Sequence, residues 1–132
     1  MSKINWLDQL KWNEDHIDDL RLAGYAYIRQ GKYDIALSFF EALTILNPND
    51  GYDHQTCGAL LLESNRPEEA LKYLDKALQL EGVDHSITLL NMAKAFLLLK
   101  RSDEAVKLAE ILQRDESPSI AATAKAILLA YS

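Results

Sequence analysis

An alanine that returns in three related stretches limits what this chain can fold into. Ala36 in YDIALSFF recurs as Ala70 in PEEALKYL and as Ala105 in SDEAVKLA, at steps of 34 and then 35 residues. Gly24 recurs with the same steps as Gly58 and Ala93, and Tyr27 as Leu61 and Phe96. A period of this length means a stack of like units. In the first unit Leu20, Ala23, Gly24, Tyr27 and Ile28 fall at helical spacing. After a break at Gly31 the spacing resumes with Tyr33, Ala36, Leu37, Phe40 and Leu43, and Pro48 closes the unit. Gly24 and Ala36 are small enough to let two helices approach closely, with Tyr27, Tyr33 and Phe40 filling the space around them. One such hairpin cannot bury both its faces, so each unit needs neighbours of its own kind.

The pattern resembles the tetratricopeptide repeat, in which Gly, Tyr, Ala, an aromatic and Pro recur over about 34 positions. The first unit matches at Gly24, Tyr27, Gly31, Tyr33, Ala36, Phe40 and Pro48, and departs at Leu43, where the family usually has Ala. The second matches at Gly58, Ala70 and Ala77, with Asn65 in place of the turn glycine. The third keeps mainly Ala93, Phe96 and Ala105. The resemblance implies an all-α, right-handed solenoid of three helix-turn-helix repeats, with an N-terminal helix and a C-terminal capping helix. As one domain over 1–132, it divides into that N-terminal helix (1–13), repeats at 17–50, 51–84 and 86–117, and the cap at 118–132.

Local signals place the helix ends. In KINWLDQLKW, Ile4, Leu7 and Leu10 share a face beside Trp6, a short helix that either caps the first repeat or meets another subunit. Asn13 is the expected N-cap of the next helix, followed by Glu14, Asp15, Asp18 and Asp19 at its positive end. Asn49 or Asp50 caps the third repeat-forming helix, and Asp84 the fifth. Asn65-Arg-Pro-Glu68 has the form of a capping box, with Asn65 as N-cap. Ser117-Pro118 starts the last helix, whose Ile120, Ala124, Ile127 and Leu128 suit a lid on the array.

Composition excludes several functions. A net charge of −6 argues against a nucleic-acid surface, which needs a basic stripe. The longest apolar runs, AFLLL and AILLAY, are far too short to span a bilayer, and the first residues lack a signal-peptide core. A single cysteine, Cys57, allows no internal disulfide and fits a reducing cytoplasm. It precedes Gly58 at a helix-pair interior, which suits packing better than nucleophilic chemistry. His16, His54 and His85 are scattered, and no HExxH, CxxC, GxSxG or phosphate loop is present. No enzyme, cofactor or metal site is expected.

Function should then lie in binding. In the repeat family, positions 2, 5, 9, 12 and 13 of each unit point into the concave groove. That resemblance implies a client-binding surface of Arg21, Tyr25, Ile28 and Arg29 from the first repeat. Tyr52, Gln55 and Leu62 come from the second, and Ile87, Leu90, Lys94 and Leu97 from the third. The first helices of repeats one and three carry more apolar residues than one core stripe needs, with Tyr25, Ile28, Leu90 and Leu97 as the surplus. Tyr25 and Tyr52 suit stacking on a client, and Arg21 and Lys94 suit holding a carbonyl or carboxylate. The basic and amide clamp by which related co-chaperones grip a heat-shock chaperone's C-terminus would map to Arg21, Tyr25, Thr56, Ile87 and Asn91. Only Arg21 retains the required chemistry.

YAYIRQGKYDIALSFFEALTILNP is also similar to the first repeat of bacterial type III secretion chaperones, where a Leu at the place of Leu43 is usual. This resemblance implies a non-catalytic chaperone of the bacterial cytosol. Its partner would be a secreted apolar translocator or a needle subunit, held as a peptide or helix. A homodimer or small co-chaperone contact would use the N-terminal helix, with neither nucleic acid nor membrane insertion involved. A generic scaffold joining folded proteins is the alternative.

Overall fold

A computed structural model describes residues 5–132, which form eight helices and no strand. They are α1 (Trp6–Leu10), α2 (Glu14–Arg29), α3 (Tyr33–Leu46), α4 (Gly51–Glu63), α5 (Pro67–Leu78), α6 (His85–Leu98), α7 (Ser102–Leu112) and α8 (Pro118–Tyr131). Ile4 and the side chain of Leu7, two of the three residues of the expected N-terminal face, lie outside the described residues. α2 pairs with α3, α4 with α5 and α6 with α7, each across a short turn, and α8 packs on α7 and α6. α4 also packs on α6, and α6 on α8.

The three turns inside the pairs share one geometry. Gly31, Asn65 and Lys100 have φ of 73°, 55° and 60°. The next amide in each turn reaches back to the helix, Lys32 to the Tyr27 carbonyl, Arg66 to Leu61 and Arg101 to Phe96, at 2.8–2.9 Å. This overturns the capping box expected at Asn65. A residue in the left-handed region continues the turn and cannot serve as an extended N-cap. Arg66 occupies the cap position without a side-chain cap, and its guanidinium pairs with Glu69 instead of leaving Glu68 to close a box. Arg101 and Glu104 repeat that pair in the next unit. The other caps form at Asn13, Asp50, Asp84 and Ser117, each accepting from amides of the following turn.

The interior divides into two apolar clusters. Ile17, Ala36, Leu37, Phe40, Leu43, Cys57, Leu61, Ala70 and Leu74 join the first two pairs. Leu90, Ala93, Phe96, Ala105, Ala109, Leu112, Ile120, Ala124 and Ile127 join the third pair to α8, and Met92 touches both clusters. Gly24 and Gly58 permit the close helix approach. A Cβ on Gly24 would lie 2.7 Å from the Phe40 ring, and one on Gly58 2.5 Å from Leu74. Cys57 is fully buried, and burial chiefly raises its thiol pKa well above the ordinary value, so it packs as a small hydrophobe.

Candidate client-binding groove

The first helix of each pair contributes to one shared face, and the repeat register decides which residues reach it. Position 2 is open: Tyr52 and Ile87 are 48% and 42% exposed. Position 9 holds Tyr25, half of a T-shaped pair with Phe40 at 5.0 Å between centroids, then half-buried Ala59 and exposed Lys94. Position 12 supplies half-buried Ile28, Leu62 and Leu97, and Leu97 packs on the second cluster. Position 13 supplies exposed Arg29, Glu63 and Leu98.

Position 5 is engaged between helices, and for Arg21 and Leu90 this departs from the client-facing place expected of them. The Arg21 guanidinium donates to both oxygens of Asp53 at 2.9 and 2.8 Å, and also to Asp50 and Asp18 at 3.2 and 3.1 Å. Asp53 is fully buried, so the fork from α2 to α4 is what compensates its charge. The bond to Asp53 raises the Arg21 pKa further above its already high value. Four of the five N–H donors of Arg21 are therefore committed to three carboxylates, which ties the side chain to its own fold. Gln55 makes the equivalent link from α4 to α6, donating to Thr88 Oγ1 at 2.7 Å and the Asp84 carbonyl at 3.2 Å. Leu90, in the same place on the third repeat, is buried in the second cluster. The three residues lock each first helix to the next one.

What remains is a cleft of about 350 Å³ across α2, α4 and α6. Of the expected surface, Ile28, Gln55, Leu62, Ile87 and Lys94 line it, whereas Arg21, Tyr25, Arg29, Tyr52, Leu90 and Leu97 stand outside its walls. Tyr33, Thr56 and Asn91 line it as well. Thr56 and Asn91 both fall at position 6, a place in the register that the family rule omits. Ala59, the smallest lining side chain, makes the depression. Tyr33, expected to fill the interior of the first pair, instead opens α3 with 39% of its surface exposed and lines the cleft. Among the described residues no group of three or more His, Cys, Asp or Glu can hold a metal, and no helix is long and apolar enough to cross a membrane.

A tetratricopeptide-repeat family model matches residues 22–50. The fold also matches solved structures over most of its length. PcrH, known from Pseudomonas aeruginosa, in complex with the chaperone binding region of PopD, is 25% identical with a TM-score of 0.75 over 90% of this chain and 92% of that one. The chain has the tetratricopeptide-repeat fold and resembles type III secretion chaperones. The Yersinia enterocolitica chaperone SycD, bound to a peptide of the translocator YopD, is 18% identical, with a TM-score of 0.80 over 89% of this chain and 92% of that one. The first tetratricopeptide domain of human RPAP3 has the same fold at 19% identity and a TM-score of 0.75, over 86% of this chain and 91% of that one. No curated protein matches the chain in sequence.

Proposed function

We propose that this protein is a non-catalytic chaperone of the bacterial cytosol that shields an apolar segment of a type III secretion client in its concave groove. The observation that carries this is the cleft itself. Ile28, Ala59, Leu62 and Ile87 give it an apolar lining, with Glu63, Asn91 and Lys94 at its side. Its volume suits one or two large client side chains, while the polar groups meet the client's backbone. The likeness to PcrH, seen with the chaperone binding region of PopD, supports a translocator as client. Sequestration needs no covalent step: covering the apolar segment prevents its premature assembly until export. A heat-shock C-terminus is disfavoured. The first tetratricopeptide domain of Spaghetti (RPAP3) was solved bound to the HSP90 peptide SRMEEVD, but Arg21, the clamp residue retained here, is bound to Asp53.

Ile87→Glu tests the reading. Ile87 sits in the first turn of α6, where a carboxylate favours the helix, so the variant keeps its stability while charging the cleft wall. Tagged wild-type and variant proteins are captured from the native cytosol and their co-purifying chains identified. A secreted apolar client held by the wild type and lost from Ile87→Glu is the expected result. Folded partners retained equally by both would replace the chaperone reading with a scaffold.

A further inference from the structure

The last helix repeats the sixth. Ala93-Lys94-Ala95-Phe96-Leu97-Leu98 returns as Ala124-Lys125-Ala126-Ile127-Leu128-Leu129, 31 residues on. The burial pattern returns with it. Ala93 and Ala124 are fully buried in one cluster with Phe96 and Ile127, and Leu97 and Leu128 are half-buried against it. Lys94, Leu98, Lys125 and Leu129 are all exposed, Leu129 by 88%. The one difference is that Ala95 is buried while Ala126 is exposed, because α8 packs on α6 and no described helix packs on that side of α8. α8 is thus built as another groove-lining helix, with Lys125 and Leu129 in register with Lys94 and Leu98.

Charge singles out the same two helices. The chain has 20 acidic residues, yet α6 and α8 contain no Asp or Glu, alone among the eight described helices. The concave face therefore changes along its length. At the register positions of that face α2 and α4 carry Asp18, Arg29 and Glu63, a mixture of signs, whereas α6 and α8 carry only Lys94 and Lys125 beside exposed leucines. We infer that the binding surface continues from the cleft onto α8 and takes an apolar client segment bearing two carboxylates about three residues apart. The spacing follows from helix axes about 10 Å apart and an extended chain rising about 3.3 Å per residue. Lys94 already lines the cleft, so the α8 surface continues it. This inference rests on the groove reading above.

Two fluorescein-labelled peptides test it by anisotropy. Both have one leucine- and valine-rich sequence, with either two glutamates or two lysines three residues apart. Wild-type protein should bind the glutamate peptide about tenfold more tightly, with the preference shrinking at high salt. Lys125→Glu should remove or reverse the preference, and Leu129→Asp should weaken both peptides. Ile87→Glu should abolish binding of both. If Ile87→Glu abolishes binding but Lys125→Glu leaves the preference unchanged, the α8 extension is wrong and the groove reading stands. If neither peptide binds the wild type, both fail. If Leu129→Asp alters only the sedimentation of the free protein, the face is a contact between copies and the extension is overturned.

Discussion

Replacing Arg21 by methionine isolates the energetic role of the link between the first two repeats. The substitution keeps the apolar stem and removes the guanidinium that donates twice to Asp53. Asp53 is fully buried, and among the described residues its carboxylate has no other side-chain partner. Breaking a buried pair by removing one member costs about 3–5 kcal/mol, because the remaining charge is left uncompensated. The Arg21 side chain is 21% exposed, so some water reaches the vacated space and the loss should lie near the lower end, about 3 kcal/mol. For a chain of this size that lowers Tm by roughly 10 °C. Urea unfolding followed by circular dichroism measures it. Adding Asp53→Leu to Arg21→Met should restore most of the stability, since both charges are then gone. A loss below about 1 kcal/mol in the single variant, or a double variant no more stable than the single one, would refute the role assigned to the pair.

Three further outcomes follow from the packing. Gly58→Ala should lose about 1 kcal/mol, because crowding against fully buried Leu74 outweighs the gain in helix propensity; a gain in urea midpoint would contradict the close approach. Lys100→Gly should raise stability by about 0.5–1 kcal/mol by relieving the left-handed turn, as read from the same midpoint. Asp115 is held below the usual carboxylate range by the Ser86 hydroxyl and then the Ser117 amide. Its depressed pKa adds stability that is present above the unfolded value and disappears as pH falls through the folded one. Asp115→Asn should therefore be less stable than wild type at neutral pH and converge with it in strong acid, where thermal melts compare the two.

The repeat was legible because it is written in residues that packing leaves little choice over. Gly24, Gly58 and Ala93 sit where a neighbouring helix is nearest, and Ala36, Ala70 and Ala105 are each fully buried. The helix starts at Asn13, Asp50, Asp84 and Ser117 were readable for a similar reason, since a side-chain acceptor there meets amides that the helix cannot satisfy. Asn65 misled because asparagine serves both as an N-cap and as a left-handed turn residue, and the position of Gly31 in the first repeat was the better guide. The site was harder to read. Arg21, Gln55 and Leu90 share a register position whose partners, Asp53, Thr88 and the second cluster, lie on the next helix some thirty residues away. A polar residue on a solvent-facing stripe looks the same in sequence whether it waits for a client or locks two repeats together. Tyr33 reads from its spacing as an interior residue of the first pair, but as the first residue of α3 it is exposed and lines the cleft.

Photo-crosslinking from within the groove tests the central claim most directly. A photoreactive amino acid is placed at Ile87 on the cleft wall in one protein and at Lys107 on the exposed face of α7 in another, and both are irradiated in native cytosol. The account predicts a covalent adduct with an apolar segment of a secreted protein from Ile87 and none from Lys107. Adducts from Lys107 with Ile87 silent would place the partner on the opposite surface and contradict the groove as the site of action.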